Sequence, residues 1–409
     1  MRNPAWDCNL TLCIYWRDNM NKVAIVGTGQ TVTRTKRKDV NLPELMREAV
    51  NRALESADLE FKDIDAICVG NSPEMFDGVN HPEKWVADSI GGRNLPVIRT
   101  HTGGTVGAST GIFGWYAVSS GMFDTVLVVS GNKLTETSVQ KGLSYVYSPI
   151  YGREYAAGAP SAVANQARMY MHLYPEVTER HFAMIGVKAR KNAMNNPYAT
   201  LKLPNVTVDM LMNLPYLSTP LRQLDSCPTS DGACAMVLQT REKAKDRNRP
   251  KSWIQAVSAI SDGTNYPDRN WAYPIALEKA ALTAYKQVGI TNPLEQLDVI
   301  EMYDAFTVQE LIWSDGLQLC ERGKSYQLLE EGITSMGGKL PINPSGGVLS
   351  NNSIGATAMI RQAEIALQMM EQAGDRQVEG ARVGLAHGWG GFIQFHTVMI
   401  QSKEEELSF

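Results

Sequence analysis

Two glycine-rich turns are the first features of this chain able to take part in a reaction: His101-Thr-Gly-Gly-Thr-Val-Gly107 and His387-Gly-Trp-Gly-Gly391. The first opens a helix of small and apolar residues. A helix start leaves N–H groups without intrahelical partners, and such groups attract anionic oxygen. Gly103, Gly104, Gly390 and Gly391 are therefore candidate backbone donors to an oxyanion or enolate. Thr102, Thr105 and Ser109 bring hydroxyls to the same place without a base beside them, and are expected to serve helix capping and packing. His387 heads the second turn, and a histidine there is suited to donating a proton or orienting substrate. His81, His172, His181 and His396 have weaker claims; His101, just before the first turn, is expected to support it.

Other signals carry less. Gly27-Thr-Gly29 follows a strand, but Val32 holds the place of the third glycine of a dinucleotide fingerprint. Cys8, Cys13, Cys68, Cys227, Cys234 and Cys320 include no pair at zinc-ligand spacing. Cys227 and Cys234 read as small buried hydrophobes, although a cysteine there stays on the list of candidate nucleophiles. No metal is expected in this chain.

The 409 residues are 44% hydrophobic and 20% charged, with a net charge of -4. Such a balance gives no reason to expect nucleic acid or an anionic membrane as a partner. No apolar run approaches the roughly 18 residues that span a bilayer. Residues 1–19 lack a signal-peptide pattern and are expected to be an extension, with Met20 as the natural-looking start. A cytoplasmic location is the expectation.

The elements that position these turns occur twice. Residues 43–70 read as helix then strand, and residues 274–304 repeat the order. Both begin at a proline suited to a first helical turn, and Asp65-x-Ile67 matches Asp298-x-Ile300. Gly107–Ile112 then corresponds to Gly355–Ile360, and the strand Thr125–Gly131 to Arg382–Gly388. Helices alternating with strands predict an α/β fold with a largely parallel sheet. The expected division is a half at 20–252, holding a Tyr- and Met-rich loop domain at about 132–220, and a second half at 253–409. The loop region reads as a substrate cover, a dimer interface, or both.

Several segments together carry a family resemblance: Arg190–Tyr198 (RKNAMNNPY), Pro220–Leu238, Tyr303–Thr307 (YDAFT), Asn343–Gly347 (NPSGG) and His387–Gly391 (HGWGG). Over roughly Lys22 to Ile400 the chain resembles the thiolase superfamily, in the branch of sterol-carrier-protein-type thiolases and their thiolase-like aldolase relatives. The resemblance implies duplicated βαβαβαββ halves stacked as αβαβα layers. It also places Gly104 where such a thiolase carries its nucleophilic cysteine, and Asn352 where it carries the histidine of Gly-His-Pro. Tyr303 begins a box that in thiolase-like steroid side-chain aldolases starts with a catalytic tyrosine. Asp304, Asn343 and Ser353 fall in matching motifs as supporting residues. The aldolase relatives are expected to have a second tyrosine near Asn351–Ser353, and none stands there.

The implied activity is carbon–carbon bond chemistry on an acyl-CoA, chiefly retro-aldol cleavage of a bulky β-hydroxyacyl-CoA without a cysteine nucleophile. In it Tyr303 would act as base, with Asn352 and His387 placing substrate or a proton-donating water. The alternatives are an unusual 3-oxoacyl-CoA thiolase for a branched or aromatic substrate and a non-catalytic scaffold subunit. Coenzyme A enters as the substrate thioester, with no covalently bound cofactor. The resemblance further implies a role in lipid or steroid catabolism, a homodimer, and a small partner subunit with an OB-fold and a zinc ribbon.

Overall fold

The computed structural model describes residues 20–409 apart from positions 73, 156, 157, 247 and 408. The expected extension at 1–19 lies outside the described residues. Nine strands form one hydrogen-bonded sheet: β1 (Val23–Gln30), β2 (Ala66–Gly70), β3 (Val97–Thr100), β4 (Thr125–Lys133), β5 (Asp231–Thr240), β6 (Ser252–Ser261), β7 (Val299–Glu301), β8 (Val383–Gly390) and β9 (Phe395–Ser402). The spatial order is β3-β2-β4-β5-β1-β6-β9-β8-β7. It reads as two related halves meeting at β1 and β6, which pair only over Val23–Ile25 and Ser252–Ile254.

The sheet is mixed rather than largely parallel. β2 runs parallel to β3 and β4, and β7 runs parallel to β8. The remaining pairings are antiparallel. The reason is that each strand–helix–strand crossover is followed by a return strand. β9 returns from β8 through a short hairpin, and β5 returns beside β4 after the long loop region.

The helices that matter to the site are α1 (Leu42–Ala57), α2 (Val106–Ser119), α3 (Ala159–Leu173), α4 (Glu179–Ala193), α5 (Ile275–Val288), α6 (Thr307–Gly316) and α7 (Thr357–Met369). α1 starts with a capping box: Glu44 N–H donates to Asn41 Oδ1 at 2.9 Å and Asn41 N–H to Glu44 Oε2 at 2.8 Å. Pro43 lies in its first turn, whereas Pro274 stands just outside the first turn, at the N-cap of α5. The stripe Leu45, Met46, Ala49, Val50, Ala53 and Leu54 packs on one face of β1, β2, β4 and β5.

On the other face, α2 and α7 share a core with strands of both halves. α5 and α6 cover the second half from its far side. Helix and sheet layers thus alternate as αβαβα. The two central helices approach start to start. A Cβ on Gly107 would come within 2.6 Å of Met359 N and 2.8 Å of Gly355 O, so only glycine permits the contact.

The repeat extends to hydrogen bonds. Asp65 Oδ2 accepts the N–H groups of Asp124 and Thr125 at 3.1 and 2.8 Å. Its counterpart Asp298 accepts those of Arg382 and Val383, both at 2.8 Å. Each carboxylate fixes the entry of the following strand, β4 or β8, and so sets where the two glycine-bearing ends emerge. Among the described residues no helix is long and apolar enough to cross a membrane.

Candidate active site

The helix start of α2, the end of β8, the loop before α7 and the end of β7 converge on a cavity of about 280 Å³. Gly103, Gly104, Gly390, Gly391, Tyr303 and Asn352 all line it. The structure therefore brings together the backbone donors and two of the three candidate catalytic side chains. The glycine turns touch: a Cβ on Gly390 would fall 2.6 Å from Gly104 N and 2.7 Å from Thr102 O. At Gly104 there is more room. A Cβ there would stand 3.1 Å from Trp389 O and 3.8 Å from the Tyr303 hydroxyl oxygen. A side chain at position 104 would thus point at Tyr303.

Tyr303 is buried and held from several sides. Its backbone oxygen accepts two indole N–H groups, from Trp389 at 2.8 Å and Trp313 at 2.9 Å. Its ring meets that of Trp389 edge to face at 5.4 Å. Its hydroxyl donates to Asn352 Oδ1 at 3.4 Å. Burial pushes the hydroxyl well above its ordinary pKa, and the neighbouring Cys227 thiol pushes the same way. Tyr303 is a neutral phenol at pH 7, which does not suit the free base expected of it.

Asn352 is fixed by its neighbours. Oδ1 also accepts Ile354 N–H at 3.2 Å and the Thr357 hydroxyl at 3.0 Å. Nδ2 donates to Cys227 Sγ at 3.0 Å. Cys227 lines the cavity, and burial pushes its thiol up to about 12. A thiol so shifted has almost no thiolate at neutral pH.

His387 does not line the cavity. It alternates with Trp389 on the same face of β8, but one pleat further from the strand end, roughly 7 Å back. There it is fully covered, with Nε2 3.1 Å from His396 Nδ1 and its ring stacked on that of His396. Trp313 meets both rings edge-on. Burial holds both imidazoles below their ordinary range, His396 at about 3.

The supporting residues lie behind the lining. Asp304 is buried, accepts Val348 N–H through Oδ1 at 2.6 Å, and is raised to about 7 by burial and the Glu310 charge. Asn343 accepts Met302 N–H at 2.7 Å, and Ser353 N–H donates to Thr357 Oγ1 at 3.0 Å. Ser345 ties the 343–347 loop to Glu301 through its N–H at 2.9 Å and its hydroxyl at 2.8 Å. Arg361 pairs with the same carboxylate. His101 is half exposed and sits 3.4 Å from Glu74, away from the lining.

The threonine hydroxyls do not cap α2. Thr105 occupies the N-cap without a side-chain cap bond and meets the Thr397 hydroxyl at 2.9 Å; Thr102 meets Ser109 at 2.7 Å. Sequence reasoning also missed the apolar wall, built by Leu134, Val139, Leu143 and Val146 with Phe392 and Ile354. Part of that wall comes from the Tyr- and Met-rich loop region, whose composition was the available signal. Among the described residues no charged side chain lines the cavity.

Family comparison agrees with the fold. Residues 23–200 match the thiolase N-terminal domain, and residues 259–403 match the thiolase C-terminal domain-like model. The chain belongs to the thiolase superfamily, in its sterol-carrier-protein-type branch. It is 32% identical to an acetyl-CoA acetyltransferase of Methanothermobacter thermautotrophicus over 91% of this chain and 97% of that protein. It is 29% identical to sterol carrier protein 2 of Bos taurus over 91% of this chain and 71% of that protein. Among solved structures, an Ltp2-ChsH2(DUF35) aldolase shares the fold at a TM-score of 0.82 and 24% identity, over 94% of this chain and 98% of that one. Human mitochondrial 3-ketoacyl-CoA thiolase shares it at a TM-score of 0.73 and 13% identity, over 94% and 99%. The protein is a thiolase-like acyl-CoA enzyme.

Proposed function

We propose that this enzyme cleaves a β-hydroxyacyl-CoA by a retro-aldol reaction, with no acyl-enzyme intermediate. The observation that carries this reading is the Tyr303 hydroxyl standing 3.8 Å from where a Gly104 side chain would begin, in a cavity whose one thiol is held protonated. The thioester oxygen lies against the N–H groups of the Gly103-Gly104 and Gly390-Gly391 turns. Such donors are in place before charge develops, so they stabilise the enolate-like charge that builds on the thioester oxygen as the Cα–Cβ bond breaks.

Tyr303 serves as a neutral relay. Its oxygen takes the proton of the β-hydroxyl while its own proton passes to the α-carbon. The Cα–Cβ bond breaks, the β-carbon becomes a ketone or aldehyde, and the α-carbon keeps the thioester. Protons balance and the phenol carries no net charge at any stage, in keeping with its burial. Asn352 orients the hydroxyl. His387 acts at a distance, by packing against Trp313, whose indole N–H holds the Tyr303 backbone oxygen. The uncharged wall favours a bulky apolar acyl group, as in lipid or steroid catabolism.

Product analysis tests this reading. Aldol cleavage of a β-hydroxyacyl-CoA releases one carbonyl compound and one acyl-CoA without consuming CoA. Consumption of one CoA with release of two acyl-CoAs from a 3-oxoacyl-CoA would instead establish thiolysis. That second reading is favoured by the 32% identity to an acetyl-CoA acetyltransferase.

Assembly follows from the same resemblance. Strand β3 is a sheet edge, with Ile98 exposed on it, which supports a homodimer. The structural neighbour named an Ltp2-ChsH2(DUF35) aldolase carries a second component in its name, which supports a partner subunit; the family resemblance implies that this partner is small, with an OB-fold and a zinc ribbon. Size-exclusion chromatography of the chain alone, and co-expressed with such a partner, reads out both; a fully active monomer would exclude them.

A further inference from the structure

The hairpin turn between β8 and β9 takes a conformation that side chains resist. Gly391, Phe392 and Ile393 follow one another at φ values of 60°, 51° and 68°. The left-handed region is rare for an aromatic residue and rarer for a β-branched one. Arg269, from the loop between β6 and α5, reaches across to this turn. Its Nη1 donates to the carbonyl oxygens of Gly391, at 3.3 Å, and Phe392. The rest of the guanidinium is anchored on its own loop, Nε to Gly263 O at 2.6 Å and Nη2 to Thr264 O at 2.9 Å. A planar fork of fixed donors suits such a task better than an ammonium group.

The consequence for the cavity follows from peptide geometry. A trans peptide holds its C=O antiparallel to the next N–H. Carbonyls drawn toward Arg269 therefore turn the N–H groups of Phe392 and Ile393 the other way. Successive N–H groups in such a turn form a concave donor set that suits a negatively charged oxygen. Gly391 and Phe392 line the cavity, and a Cβ on Gly103 would lie 2.9 Å from Gly391 N. The Phe392 ring also stacks on Tyr147, with centroids 3.8 Å apart. One turn thus carries both backbone donors and part of the apolar wall.

We propose that Arg269 is a positioning residue for the thioester-carbonyl subsite. It contacts no substrate atom and acts by holding the left-handed turn, so that its N–H groups converge with those of Gly103-Gly104 on the carbonyl oxygen. The inference rests on the reading that this turn receives the oxygen of a CoA thioester.

Calorimetric titration of the full chain with isobutyryl-CoA and with its thioether analogue S-isobutyl-CoA, which lacks the carbonyl, separates the two ideas. The wild type is expected to prefer the thioester by about fivefold, the scale of one or two net hydrogen bonds. Arg269→Met should lose that preference while thioether affinity stays within about twofold. Arg269→Lys should keep part of the preference, and millimolar guanidinium should restore it in Arg269→Gly. If the Met variant does not fold, the Lys variant and the guanidinium rescue decide. Retention of the wild-type preference in Arg269→Met, or equal loss of affinity for both ligands, overturns the role of Arg269 alone. A wild type that binds neither ligand, or does not distinguish them, overturns the thioester reading and this inference with it.

Discussion

The hydroxyl of Tyr303 donates to the amide oxygen of Asn352 across 3.4 Å, and that oxygen already accepts from Ile354 N–H and the Thr357 hydroxyl. With its oxygen so occupied, the amide turns its nitrogen to Cys227 Sγ. A phenolate at Tyr303 would face an amide oxygen and a thiol instead of a cation. The pair therefore keeps Tyr303 protonated and aimed, which is the state a proton relay needs.

Tyr303→Phe is the direct test of that relay. Asn352 Oδ1 keeps two other donors in the variant, so folding stability should change by less than about 1 kcal/mol. Turnover of a β-hydroxyacyl-CoA should fall by roughly 10²- to 10⁴-fold, the usual worth of a positioned proton-transfer group. Affinity for the substrate should hold. Unchanged turnover in single-turnover kinetics would remove Tyr303 from the chemistry.

Much of the fold was legible because the chain repeats its pattern: the stripe of α1, the Asp65 and Asp298 turns and the matched glycine-led starts of α2 and α7 all follow from residue type and spacing, whereas the close approach of those two starts at Gly107 came only with the structure. Strand direction was not legible. The return of β5 depends on where the chain re-enters after the loop region, and no local pattern states that. At the site, Gly104 and Asn352 were found by family motifs that fall at the same offset in the two halves, and Tyr303 by the resemblance of its YDAFT box. His387 was placed by its motif, but alternation along β8 puts it under the cavity floor. The apolar wall was hidden because it is assembled from distant segments around Val139, Ile354 and Phe392.

Covalent trapping addresses the absence of a thiolate. Cys227 is the cysteine that lines the cavity, and burial keeps its thiol protonated. Intact-mass spectrometry of the wild type during turnover should show no acyl adduct. Cys227→Ser should retain activity within about threefold, since Ser still accepts from Asn352 Nδ2. By contrast, Gly104→Cys places a thiol next to Tyr303 and should accumulate an acyl-enzyme. A thioester adduct on Cys227 of the wild type would restore covalent catalysis to this enzyme.

Behind the lining, Glu301 and Arg361 form an ion pair with side chains 0% and 1% exposed. The pair carries Ser345 and thereby the 343–347 loop that reaches Asp304. Removing one partner leaves a buried charge unmatched. Arg361→Met should destabilise the fold by about 3–5 kcal/mol, whereas replacing both partners with apolar residues of similar volume should cost much less. Urea denaturation of the single and double variants measures the difference. Equal losses in the two would mean that the charges matter only for shape.

The buried His387 and His396 pair makes a prediction about acid. Both imidazoles are neutral in the folded protein because burial depresses their pKa values, His396 to about 3 against 6.5 when exposed. Between these values the unfolded chain binds protons that the folded chain refuses, so stability falls as pH drops below about 6.5. Each imidazole contributes a slope near 1.4 kcal/mol per pH unit well inside that window. His396→Gln should therefore gain stability relative to wild type as pH is lowered from 6.5 to 4.5, while at pH 8 it should be no more stable than wild type. Taking the difference between the two proteins removes the opposite slope of Asp304, whose raised value of about 7 favours the folded state on acidification. Denaturation midpoints across that range give the slope. A difference independent of pH would show that His396 is protonated in the folded protein and that the pair is accessible to water.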